Sequence, residues 1–419
     1  MKNNWSSLDN AALIYPSASE KADHQVFRVC CELYDPVDPA ILQTALEQTM
    51  ESFQVYRAVL KRGLFWYYLE NTEKMPEVHE ENRQPCAAMN IRNGKSLLFD
   101  VSYYHNRVNL EVYHVLSDGT GALNFLRTLI TKYLTLCGGL TEPSLDYDAS
   151  ATQRGDDSFH RYYSGSPNKK RSPYGIACRL TGRKYPENQL KIITGRMNLQ
   201  PLLEAAHREH TTLTVFLCAC LMEAISESVT VRAKRRPVVL SVPVNLRSHF
   251  PSASARNFFS VLLVGYDFGK QEAAWDEIVK KIGSDLSSGL ARDSLAHGID
   301  AYSAIEHNAF ARVVPLFLKD FILKTAYRNA MRRDTADFSN LGVVSMPREL
   351  EHRIRSFDVC ASTNKLQACT CSFQGRLSVG FSSPFMSSEV QRRFFRKLAA
   401  LGAEVEITTN PVDDGRGKP

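Results

Sequence analysis

The sequence predicts an α/β protein folded as two lobes, and three observations carry that expectation. Strand-like and helix-like apolar patterns alternate along most of the 419 residues, as in mixed sheets covered by helices. The composition changes over 141–190, where Ser, Asp, Arg, Gly and Tyr displace aliphatic residues until Ile176. Such a stretch reads as a crossover rather than a core. The strand and helix patterns then restart. The expected division is a first lobe at 1–150, a crossover at 151–185, a second lobe at 186–409 and a frayed tail at 410–419. With 44% apolar and 23% charged residues, the chain can bury a large core.

Trp5 to Pro16 is short and mixed, with Ser7 or Asp9 able to cap a helix. His24 to Tyr34 reads as a strand, and Asp38-Pro39 opens a helix whose stripe is Ile41, Leu42, Ala45, Leu46 and Thr49. Phe53 to Leu69 reads as two strands around Lys61-Arg62-Gly63. Leu97–Tyr104 and Val108–Val112 form a hairpin around His105-Asn106.

Along that second strand Val108, Leu110 and Val112 alternate with Asn109, Glu111 and Tyr113, so His114 comes next on the apolar face and points inward. Asp118-Gly119 turns the chain. Ala122, Phe125, Leu126, Leu129, Ile130, Tyr133 and Leu134 then mark the buried stripe of a helix that Gly138 and Gly139 stop.

The second half opens with a strand near Leu190–Leu199 and a helix from Pro201. The threonines at 211–212 cap a helix through Leu217, Leu221, Met222 and Ile225. A basic cluster, Arg232, Lys234, Arg235 and Arg236, leads into the apolar strand PVVLSVPV and then Asn245-Leu246-Arg247. Helices follow around Trp275–Ile282 and Val313–Ala330. Ser339-Asn340-Leu341-Gly342 opens a further strand, Gln367–Phe373 pairs with Arg376–Ser382, and Ser388–Leu401 closes as a helix.

A histidine at the end of a strand, held between buried elements and followed by a turn, has the placement of a positioned base. His114-x-x-x-Asp118-Gly119 resembles the HxxxDG motif of acyltransferases with the chloramphenicol acetyltransferase fold. That superfamily includes condensation domains, alcohol acetyltransferases, wax ester synthases and polyketide-associated acyltransferases. Tyr113 stands where condensation domains carry a second histidine, and WSSLDNAALIYP is similar to the WxxLDxAxxxYP opening of alcohol acetyltransferase-like proteins. The PVNLR and Asn257-Phe258-Phe259-Ser260 segments resemble the second-lobe "PV-x-x-R … N-F" stretch. The DFGWG motif of plant relatives is absent.

The resemblance implies two similar lobes with an active-site channel between them. It implies acyl transfer from an acyl-CoA thioester to a hydroxyl or amine, with His114 as general base. Asp118 would pair with an arginine, and Arg57 occupies the place of that arginine. Gly119 would allow a tight turn and close approach of backbone to substrate. Ser339 would donate to the oxyanion, and Arg232, Lys234, Arg235 and Arg236 would meet the phosphates of coenzyme A or the acidic helix of an acyl carrier protein. A stand-alone condensation-type enzyme using carrier-protein thioesters, and a catalytically inactive binding protein of the same fold, are the alternatives.

A balance of 51 basic to 45 acidic residues is too mild to argue for nucleic acid. The ten scattered cysteines, Cys369-x-Cys371 included, complete no metal site and read as free thiols of a cytoplasmic protein. No signal peptide, membrane span or permanently bound cofactor is expected. No G-x-S-x-G elbow supports a hydrolase.

Overall fold

Asp118 lies just past a strand of one sheet and Arg247 just past a strand of another, and those two sheets define the architecture. The computed structural model describes residues 5–412 apart from 20–22, 92, 146, 148, 166–172, 187–188, 270–273 and 308–312. Parts of the expected crossover and most of the expected tail lie outside the described residues.

The first sheet has five strands, in the order Ile354–Ala361, Val26–Leu33, Arg107–Tyr113, Phe99–Tyr104, His79–Glu80. Helices Pro39–Ser52 and Gly119–Gly138 cover one face, where Leu110 and Val112 share a core with Leu46, Phe125 and Leu129. Asp38 caps the first of these helices by accepting from the amides of Ala40 and Ile41, and Gly139 ends the second with φ 59°. The hairpin at His105-Asn106 forms as expected.

The structure adds to one reading and changes another. The strand Arg107–Tyr113 is buried on both faces: Asn109, Glu111 and Tyr113 are enclosed, and Glu111 takes the Arg28 guanidinium and the Cys86 amide. A full alternation of polar and apolar residues therefore does not mark a solvent face when the polar side chains find buried partners. Gln54–Tyr56 forms a single turn of 3₁₀ helix, not a strand, and the strands are Ala58–Arg62 and Tyr67–Asn71. With Trp5–Ser7 these make a separate three-stranded sheet.

The second sheet has seven strands, in the order Phe259–Tyr266, Val238–Asn245, Ala336–Val343, Leu366–Phe373, Arg376–Ser383, Lys191–Asn198, Glu406–Thr409. Its core packs beneath helices Leu213–Ser228, Trp275–Leu290 and Glu389–Ala400. Thr212 caps the first of them through the Val215 amide. The helix Arg292–His307 has no counterpart in the sequence reading.

The lobes do not divide the chain at one point. Residues 354–361, expected in the second lobe, complete the edge of the first lobe's sheet against Val26–Leu33. This strand crosses the second sheet at Gly380, where a Cβ would come within 2.3 Å of the Val359 carbonyl. Asn410, expected to fray, is tied to Ile192, Leu190 and Gln84.

One local feature positions the candidate site. Val238–Asn245 and Ala336–Val343 pair only at Leu240–Ala336 and Ser241–Asp337, then separate. The turn from His114 to Gly121 enters that opening from the first lobe.

Candidate active site

His114 leaves the end of the strand Arg107–Tyr113 with its amide donating to the Gln25 carbonyl at 2.8 Å. Its ring stacks on Tyr15, with centroids 4.7 Å apart, and leans on Phe27 and Phe259. Nδ1 lies 3.2 Å from Oδ1 of Asn257, while Nδ2 of the same amide donates to the His114 carbonyl at 2.9 Å and to Oδ2 of Asp9 at 3.1 Å.

These contacts fix the tautomer. A backbone carbonyl only accepts, so the Asn257 atom facing it is the amine and the other is the oxygen. Oδ1 can then only accept from Nδ1–H, which leaves the lone pair on Nε2. Nε2 makes no hydrogen bond among the described residues. Burial pushes the His114 pKa below its ordinary value, against the Asn257 hydrogen bond and the Asp118 charge, so the ring is neutral at pH 7.

Asp9, behind Asn257, is enclosed, and burial raises its pKa to about 6 against the opposing Arg256 charge. Its Oδ1 accepts from the Ala12 amide. Carboxyl, amide and imidazole thus form one chain drawn from three distant parts of the sequence.

Asp118 caps the helix Gly119–Gly138 through the Gly121 amide at 2.9 Å. Its other oxygen accepts from Arg247 Nη1 and from the Phe258 amide, both at 2.8 Å. The partner is therefore Arg247 and not Arg57. Arg247 also donates to the carbonyls of Ser254 and Arg256, so it pins the 245–258 loop around the aspartate. Arg57 follows the 3₁₀ turn at 54–56 instead, with its Nε buried and unbonded.

Gly119 serves a different approach from the one expected: a Cβ there would lie 2.6 Å from Leu341 Cδ2, across the lobe boundary. At Gly121 a Cβ would meet the Ala255 carbonyl oxygen at 2.2 Å. Ser339 lies within the strand Ala336–Val343 rather than at its start, half-buried and two residues before Leu341. Leu341 is the side chain of this strand that reaches Gly119, where the pairing becomes irregular between Asn340 and Val343. The neighbouring Asn340 turns away to Thr214. Arg232, Lys234, Arg235 and Arg236 form a turn at the far end of the strand Val238–Asn245 from Arg247, about 26 Å away at ~3.3 Å per residue. The structure does not bring these four to His114.

Sequence reading missed the roles of Asp9, Arg247 and Asn257. The signal was present in the PVNLR and Asn257-Phe258 segments and in the WSSLD opening, which marked the right stretches without saying what each residue touches.

Two lobes of mixed α/β build, with a histidine turn of the first inserted into a split sheet of the second, define the fold of condensation domains and their acetyltransferase kin. No family model and no curated protein matches the sequence. Among solved structures the chain is similar to polyketide synthase associated protein 5 from Mycobacterium tuberculosis, with TM-score 0.60 and 14% identity over 94% of this chain and 97% of that one. Trichothecene 15-O-acetyltransferase from Fusarium sporotrichioides superposes with TM-score 0.63 and 10% identity, over 95% and 96%. The starter condensation domain of rhizomide synthetase, in complex with C8-CoA, gives 0.59 and 15%, over 95% of both chains.

Proposed function

We propose that this protein is an acyltransferase that moves an acyl group from a CoA thioester to a hydroxyl or amine, with His114 as general base. The observation that carries the reading is the fixed His114 tautomer: a neutral ring whose Nδ1–H is held by Asn257, presenting the Nε2 lone pair. The solved relatives, one named as an acetyltransferase and one holding C8-CoA, support the same chemistry.

The acceptor's O–H or N–H proton passes to Nε2 as its heteroatom attacks the thioester carbon. The carbonyl becomes an oxyanion, for which the Ser339 hydroxyl is our assigned donor. Collapse breaks the C–S bond, and the imidazolium returns the proton to the departing thiolate. No covalent enzyme intermediate is required, because the thioester is already activated. Asp118 shapes the turn and stays clear of the proton path, since among the described residues its carboxylate bonds to Arg247, Gly121 and Phe258.

The test is free-thiol release from a panel of acyl-CoAs, with and without mixed alcohols and amines. His114→Ala should lower acceptor-dependent release by ~10²-fold or more, in the range for a lost general base, with folding preserved. Parental turnover by that variant on its best acceptor would remove His114 from the chemistry.

A further inference from the structure

The helix Leu316–Ala330 is built inside out. Its charged pair faces the protein: Lys319, 5% exposed, donates to the Phe65 carbonyl and sits over the Trp66 ring. Asp320 accepts from Ser17 and Tyr67. Leu316 is buried, but other apolar residues face outward, with Phe317 63%, Phe321 73% and Ile322 58% exposed. Leu64 at 74% and Phe65 project beside them from the turn between Ala58–Arg62 and Tyr67–Asn71, tied to the helix by the Leu316 amide on the Leu64 carbonyl. A soluble helix normally points the other way, and a projecting apolar patch drawn from two elements marks an interaction surface.

The charges around the patch select the occupant. Phe317, Phe321, Lys324 and Arg328 recur at helical spacing, so one stripe runs from apolar to basic. Arg332 and Arg333 continue it, exposed, and Arg62 flanks the turn. The helix's one acidic residue, Asp320, is turned inward. A cavity of about 410 Å³, lined by Trp5, Leu13, Trp66 and Tyr68 with Glu70 and Glu306 as its charged members, opens next to the turn. Protruding Phe and Leu tips, Trp and Tyr at the margin and basic residues on one side are what an anionic bilayer surface accepts.

We infer that this face docks on a lipid bilayer carrying anionic headgroups, with Phe317, Phe321 and Leu64 entering the acyl boundary and Lys324, Arg332 and Arg333 meeting the headgroups. The helix packs on the short helix Tyr15–Ala18, and Tyr15 stacks on His114, so the candidate site lies one layer below the docked face.

The full chain should float with vesicles of phosphatidylcholine and phosphatidylserine in equal parts, and do so less with phosphatidylcholine alone or in high salt. Phe317→Ser with Phe321→Ser should weaken partition at least about tenfold, and Lys324→Glu or Arg333→Glu about fivefold each on the anionic vesicles only. Circular dichroism and melting of each variant should match the parent. Failure of the parent to float, equal flotation of all variants, or the absence of any preference for the anionic vesicles overturns the inference. So does a dimer in sedimentation that the double Phe variant splits, which would assign the face to a second copy. Binding of an acyl carrier protein in place of vesicles overturns it equally.

Discussion

Asn257 touches His114 twice, by its oxygen at the ring Nδ1 and by its amine at the backbone carbonyl. One side chain therefore sets the imidazole's tautomer and joins the two lobes, since Asn257 lies beside the second sheet and His114 ends a strand of the first. The ring's orientation depends on a residue 143 positions away, which makes the base an inter-lobe property.

That dependence has a titration signature. Substituting Asn257→Ala removes a hydrogen bond that favours the charged ring, so the acid limb of kcat/KM should move further below the ordinary histidine range while the rate falls about 10-fold or more. Asn257→Asp places a carboxylate there and should move the limb upward. A lower rate with an unmoved limb in both variants would reduce Asn257 to packing.

The Arg247–Asp118 pair is nearly closed to solvent, with side chains 9% and 6% exposed. Breaking it by Arg247→Ala strands a buried carboxylate and should cost about 3–5 kcal/mol in urea unfolding. Arg57→Ala, which removes no ion pair of Asp118, should stay within about 1 kcal/mol of the parent. The reverse order of costs would restore Arg57 as the partner.

Gly121→Ala sets a methyl against the Ala255 backbone oxygen, which cannot rotate aside, and should cost about 1–3 kcal/mol. Gly119→Ala meets only the end of the Leu341 side chain and should cost less. Thermal melts of the two variants give the comparison directly.

Asp9 carries a folded-state pKa of about 6 against 3.8 unfolded. The folded form holds its proton more tightly, so this residue's stabilising contribution is complete below pH 4 and disappears as the pH rises through about 6. Asp9→Asn should flatten that segment of the stability curve, worth about 3 kcal/mol at 1.36 kcal/mol per unit. An unchanged slope between pH 4 and 7 would place the ionised carboxylate at no disadvantage.

Local patterns carried much of the fold. The Asp38-Pro39 start, the Gly139 stop, the Thr212 cap and the hairpin at Gln374-Gly375 are each written within a few residues, so sequence reading finds them. Asp118's partner was a different kind of question. An arginine 61 positions before it and one 129 after it are chemically equal candidates, and only the split between two strands decides which reaches the carboxylate. The strand Ile354–Ala361 escaped assignment to the first lobe for the same reason, because its neighbour Val26–Leu33 lies over 300 residues upstream. The outward apolar face of Leu316–Ala330 has the composition of an ordinary amphipathic helix, and composition does not say which side faces in.

That late strand also governs how the molecule can be made. On a ribosome the strand Val26–Leu33 emerges early, yet its outer edge finds no partner until residues 354–361 follow. At ~5–20 residues per second the nascent edge stays open for tens of seconds. During that time it is a template for pairing with other chains. The first lobe cannot be finished before the second is nearly complete, so its biosynthesis depends on whatever guards that open edge in the meantime.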